Sequence, residues 1–141
     1  MKKNFLIAGI ITSLASLALH ASFYFFLLKD IFAKYPAGSE EFLKQLHRPP
    51  DQLIPWAMAV TALTTGFLIT TIIKWSGAVT FVSGIKSGFP VALLFWGSVN
   101  FGLYASSNFF SLAGVFADYA CSVTSMTISA AVSATVLSQR K

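Results

Sequence analysis

Apolar residues fill four long stretches of this chain, roughly Phe5 to Leu28, Leu53 to Ile73, Phe89 to Phe110 and Val115 to Leu137. Polar and charged residues gather between them. A helix needs about 20 mainly apolar residues to cross the hydrocarbon core of a bilayer, and each stretch meets that length. None carries the charged stripe that a helix on a soluble bundle turns to water. The pattern predicts an all-α membrane protein, a bundle of four transmembrane helices with a short helix in the first loop. Residues 1–141 form one domain on this reading.

Finer signals mark the element ends. The helical character of the first stretch runs past Lys29-Asp30-Ile31-Phe32 to about Tyr35, where Pro36 and Gly38 break it. Ser39 is a candidate N-cap, with Glu40 and Glu41 placed to favour the helix dipole. A short helix to about His47 would gather Phe42, Leu43 and Leu46 on one face, to rest on a membrane surface or cap the bundle. Pro55 suits the first turn of the second span, and Trp56 and Trp75 flank that span like interfacial anchors. Between Gly77 and Gly84, the segment Val79-Thr80-Phe81-Val82 is too short to span and is expected to dip into the interface or form a brief helix. Pro90 is expected to open the third span, and Gly114 to mark the turn into the fourth. Small residues at four-residue spacing, Ala8-Thr12-Ser16 in the first span and Ala62-Gly66-Thr70 in the second, are ridges that admit a neighbouring helix closely.

Composition agrees with lipid as the solvent. The chain is 55% hydrophobic and 11% charged, against about 25% charged in soluble domains, with a mean hydropathy of +0.70. The formal charge of +5 is not a nucleic-acid patch. Lys2, Lys3, Lys74, Lys86, Arg140 and Lys141 sit just outside the apolar runs, on the side shared by the termini and the second loop. The first loop carries Lys29, Lys34, Lys44 and Arg48 beside four carboxylates. Counting Lys and Arg alone, both termini are expected in the cytoplasm. Met1-Lys2-Lys3 before an apolar run also suits a secretory signal. The run outlasts a signal core of about 7–15 residues, so it reads as an uncleaved span. Cys121 is the single cysteine, which excludes an internal disulfide and a Cys-x-x-Cys pair.

Candidate chemistry lies in three spans. The third carries Asn100, Tyr104 and Asn108 at i, i+4 and i+8, with Trp96 one turn earlier. Asp118, Ser122, Ser125 and Ser129 share a face of the fourth. The first contributes His20. Ionisable groups inside a membrane cost about 2.5–3.5 kcal/mol at the helix centre on insertion scales, so they are expected to face the bundle interior. With alternating span directions, His20, Tyr104, Asn108 and Asp118 fall in the same outer half, and together they are the predicted ligand-binding site. Asn100 and the serines read as interhelical glue, at roughly 0.6 kcal/mol each. No His/Cys/Asp/Glu cluster has metal-ligand spacing, no Gly-x-Ser-x-Gly turn is present, and the glycine-lysine loop at 83–88 lacks phosphate-loop spacing. His20 and His47 are poorly placed to ligate one haem. No cofactor is called for.

The stretch Tyr104-Ala105-Ser106-Ser107-Asn108-Phe109-Phe110-Ser111-Leu112, followed by Asp118, resembles the end of the third span in small bacterial four-helix membrane proteins classed as domains of unknown function. Tyr104, Asn108 and Asp118 match that family's Tyr, Asn and later Asp. Ala105 replaces the motif's Asp, Tyr119-Ala120-Cys121-Ser122 stands where Trp-Gly is expected, and His20 stands where the first span often has Asp. The resemblance implies the four-span topology and no reaction.

These readings point first to a binding protein, with an outward-facing polar site for a small or lipidic ligand, or to a transport accessory. A homo-oligomeric transporter or channel is the alternative, since four helices leave little room for a pathway. A membrane-embedded enzyme ranks third. A His–Asp hydrogen bond beside a cavity would favour that third reading.

Overall fold

The computed structural model describes residues 2–46 and 48–139. The charge assigned to Arg140 and Lys141, and the helix end expected near His47, lie outside the described residues. Among the described residues all regular structure is helical: α1 (Lys2–Phe23), a π-helical segment (Tyr24–Leu28), α2 (Lys29–Lys34), α3 (Glu40–Leu46), a 3-10 turn (Pro50–Gln52), α4 (Pro55–Ser76), α5 (Phe81–Ser106) and α6 (Leu112–Ser138). The first three join into one rod. That rod, α4, α5 and α6 are each long and apolar enough to cross a membrane.

The last helix, α6, lies at the centre. It packs against α1, α4 and α5, whereas the backbones of α1 and α5 stay apart. Of its most apolar window 56% is buried, against 17–28% in the other three. Its residues explain the position: Ser122, Ser125, Ser129, Ala130, Ser133 and Ala134 are small, and all are buried. Small side chains let helix backbones approach. Glycines on the partners complete the fit. A Cβ on Gly84 would lie 2.6 Å from the Ala131 Cα, and one on Gly88 would collide with the Ala130 methyl. On the opposite flank Gly66 of α4 receives the Ser13 backbone of α1.

The large side chains point outward. Leu14, Phe26, Trp56, Trp75 and Leu94 are all more than half exposed. Trp56 and Trp75 stand at the two ends of α4, about 28 Å apart at ~1.5 Å of rise per residue. That separation is close to the ~30 Å of a hydrocarbon core.

Several ends match the sequence pattern. Ser39 Oγ accepts the Phe42 N–H at 3.3 Å and starts α3. Gly77 ends α4 at φ 70°, a left-handed conformation that suits glycine. The third span differs. Pro90 lies inside α5, and the segment expected to dip or form a separate short helix leads into it, with Thr80 as the N-cap and Phe81 and Val82 in the first turn. Thr80 and Ser83 form a reciprocal capping box there, with Ser83 N–H donating to Thr80 Oγ1 at 3.1 Å and Thr80 N–H to Ser83 Oγ at 2.9 Å. That cap starts the helix nine residues before the proline, which then merely offers no N–H to the Lys86 carbonyl. The other end is earlier than expected: Ser107 takes an extended backbone at φ −150° and ψ 165° and closes the helix after Ser106. Asn108 therefore lies beyond the helix and not at its i+8 position.

Candidate functional site

A polar seam runs along α6, and every helix of the bundle contributes to it. Asp118 and Ser125 are seven residues apart, two turns along one face. Asn100 of α5 is 1% exposed and donates its Nδ2–H to Asp118 Oδ2 at 2.8 Å. The Ser122 hydroxyl donates to the same oxygen at 3.5 Å. Two turns deeper, His20 Nδ1 of α1 lies 2.8 Å from Ser125 Oγ and 2.9 Å from the Ser16 carbonyl. A carbonyl only accepts, so the bond to Ser16 uses the tautomer with its proton on Nδ1; in the other, the Ser125 hydroxyl donates to Nδ1. Deeper still, Ser133 donates to Thr70 Oγ1 of α4 at 3.1 Å.

His20 and Asp118 are each hydrogen-bonded to a neutral partner, Ser125 and Asn100. The direct His–Asp bond that would favour catalysis is not formed. The remaining two residues of the expected quartet sit elsewhere. Tyr104 is 38% exposed near the end of α5, and Asn108 is exposed in the turn that follows. No hydrogen bond among the described residues joins either of them to His20 or Asp118.

The seam opens into a groove on one side. A cavity of about 380 Å³ lies between α1 and α4, walled mainly by apolar atoms. Leu17, Ala57, Met58 and Ala62 form much of the wall, His20 and Trp96 the inner side, and Arg48 the mouth. The His20 and Trp96 rings lie 5.8 Å apart at 46°. His20 Nε2 and Trp96 Nε1 are both buried and neither has a hydrogen-bond partner. Unpaired polar atoms in an apolar setting are costly, and these two belong to residues that line the cavity. Arg48 forms no ion pair among the described residues, whereas nearby Lys44 is paired with Glu40 at 2.7 Å.

Two of these residues, Trp96 and Arg48, lie outside the expected site. Asn100, expected as interhelical glue, bonds Asp118 across α5 and α6. Trp96 carried a signal, since it falls one turn before Asn100. Arg48 looked like one more loop charge, and only the return of the chain over the α1–α4 gap brings it to the groove. No metal-ligating cluster is present among the described residues.

No protein-family model, curated protein or solved structure matches this chain. The site's own geometry therefore carries the functional argument.

Proposed function

We propose that this is an integral membrane protein of four spans that binds an amphipathic, lipid-like ligand in the groove between α1 and α4. The observation that carries the reading is the pair of buried atoms without a hydrogen-bond partner among the described residues, His20 Nε2 and Trp96 Nε1, whose side chains line an apolar cavity together with Arg48, which forms no ion pair among them. An acyl chain gains little by leaving lipid for an equally apolar wall, because lipid tails are as apolar as Leu. Selectivity must then come from polar contacts, and the groove offers two kinds. Arg48 is suited to a phosphate or carboxylate at the mouth. His20 and Trp96, below it, are suited to a hydroxyl, ester or amide further down the ligand after a small side-chain adjustment.

In this reading both termini and the α4–α5 turn lie on the cytoplasmic side of a bacterial inner membrane, and the groove mouth lies on the other. The asymmetry of Lys and Arg supports that orientation. Kinship with the four-helix family of unknown function is part of the proposal, on Tyr104, Asn108 and Asp118. Transport by a homo-oligomer and membrane catalysis rank behind binding, since no feature of the seam forms an open path and His20 and Asp118 are not directly bonded.

Lipid extraction from the purified protein tests the reading. Wild type should retain a stoichiometric amphiphile through detergent washing, and Ala62→Phe, which fills the groove, should lose it. Equal lipid content in the two would refute groove binding.

A further inference from the structure

A second cavity, of about 210 Å³, lies at the loop end of the bundle, away from the α1–α4 groove. Its lining is largely aromatic. Tyr24 comes from the π-helical segment, Phe32 from α2, Tyr35 from the residue after it, and Phe109 and Phe110 from the turn before α6. Phe32 and Phe110 stand 6.0 Å apart at 39°, and Phe109 meets Phe110 edge-on at 4.8 Å. Lys29 is the one charged residue of the lining, and it pairs with no carboxylate among the described residues.

The local backbone is built to bring these groups together. The π-helical segment adds one residue to the helical register, which rotates everything after it by about 100° at 3.6 residues per turn. Lys29, Phe32 and Ala33 thereby turn to the side on which the 107–111 turn lies. A hydrogen bond then locks the two chain segments, with Ser111 Oγ donating to the Tyr35 carbonyl at 2.6 Å and accepting the Gly114 N–H at 3.1 Å. From the far side Leu43 of α3 closes over the cavity.

Size and chemistry select the occupant. An apolar cavity of about 150 Å³ holds a benzene molecule, so this one holds a substituted ring and is far too small for a two-chain lipid. Aromatic walls favour a flat ring, through offset or edge-on contacts. A single unpaired ammonium favours one negative charge over a neutral or cationic ligand. We infer that the pocket of Tyr24, Phe32, Tyr35, Phe109, Phe110 and Lys29 is a binding site for a small aromatic carboxylate, separate from the lipid groove.

Binding of 4-(trifluoromethyl)benzoate to the full chain in nanodiscs, followed by fluorine NMR, tests the assignment, with 4-(trifluoromethyl)benzamide as the neutral control. The expected result is saturable binding of the benzoate and at least tenfold weaker binding of the benzamide. Lys29→Gln should remove that preference and Lys29→Arg should restore it. Ala33→Phe, and independently Ala37→Phe, should abolish saturable binding while the helical circular dichroism stays intact. Ala62→Phe, which tests the lipid groove, should leave benzoate binding unchanged, so the two sites fail independently. Uptake that does not saturate, or that is equal in wild type and both filling variants, is bilayer partition and overturns the site. Saturable binding with equal affinity in Lys29→Gln overturns the assignment of a carboxylate ligand.

Discussion

Breaking the Asn100–Asp118 bond is expected to reveal an interhelical coupling of about 1.5 kcal/mol. Two ranges frame the figure. A hydrogen bond to a charged group contributes about 1.5–3 kcal/mol, whereas interhelical bonds in membrane bundles average about 0.6 and reach about 1.7. The present bond is short at 2.8 Å, its donor is almost fully buried, and its acceptor is a carboxyl group. It therefore belongs where the two ranges meet. Single substitutions are ambiguous, because Asn100→Ala also opens a void and Asp118→Ala also removes the Ser122 contact. A double-mutant cycle subtracts both effects. Stability would be measured by reversible unfolding in mixed micelles with a rising fraction of sodium dodecyl sulfate, followed by circular dichroism. Additivity of the two changes to within about 0.3–0.5 kcal/mol would show that the bond does not hold α5 to α6, and the reasoning about the seam would fail.

Three further outcomes follow from the packing. Gly88→Leu should separate α5 from α6, since even a Cβ at that position collides with Ala130, and should lower stability by about 1–3 kcal/mol in the same unfolding assay. Thr12 is fully buried and its Oγ1 has no partner, so Thr12→Val should be neutral or stabilising by about 1 kcal/mol, whereas Thr12→Leu should destabilise by overpacking; a loss with Val would mean that the hydroxyl has an ordered partner. Gly77 holds φ 70° with open space around its Cα, so Gly77→Ala should cost about 1–2 kcal/mol through backbone strain alone, and Gly77→Asn should cost less.

The large-scale pattern was legible because burial in this fold is written in residue size as well as in polarity. Four apolar runs announce four long helices, and the small-residue ridges Ala8-Thr12-Ser16 and Gly66-Thr70 lie where helices meet. The start of α5 was harder to read. Pro90 is a strong local signal, but the Thr80–Ser83 capping box outweighs it, and a capping box is recognisable only when the helix beyond it is already expected. Of the four residues expected to bind a ligand, His20 alone lines the α1–α4 groove, and Asp118 joins the polar seam through Asn100. Both stood out because ionisable groups in apolar runs demand partners. Asn108 was misplaced because the backbone turns extended at Ser107, where no proline or glycine signals the end of α5. Arg48 was missed because nothing in a loop sequence says over which helix gap the loop returns.

A lipid chain seated in the α1–α4 groove reaches Trp96, so a quencher carried on that chain will dim the Trp96 fluorescence. The chain has three tryptophans, and Trp56→Phe with Trp75→Phe leaves Trp96 as the only one. Reconstituted into bilayers of phosphatidylcholine with dibrominated acyl chains, this variant should show strong quenching of Trp96. Adding Ala62→Phe, which blocks the groove and leaves the outer bilayer contacts of the bundle in place, should reduce that quenching by at least half. Quenching that is unchanged by Ala62→Phe, or absent in the Trp96-only protein, would contradict the account.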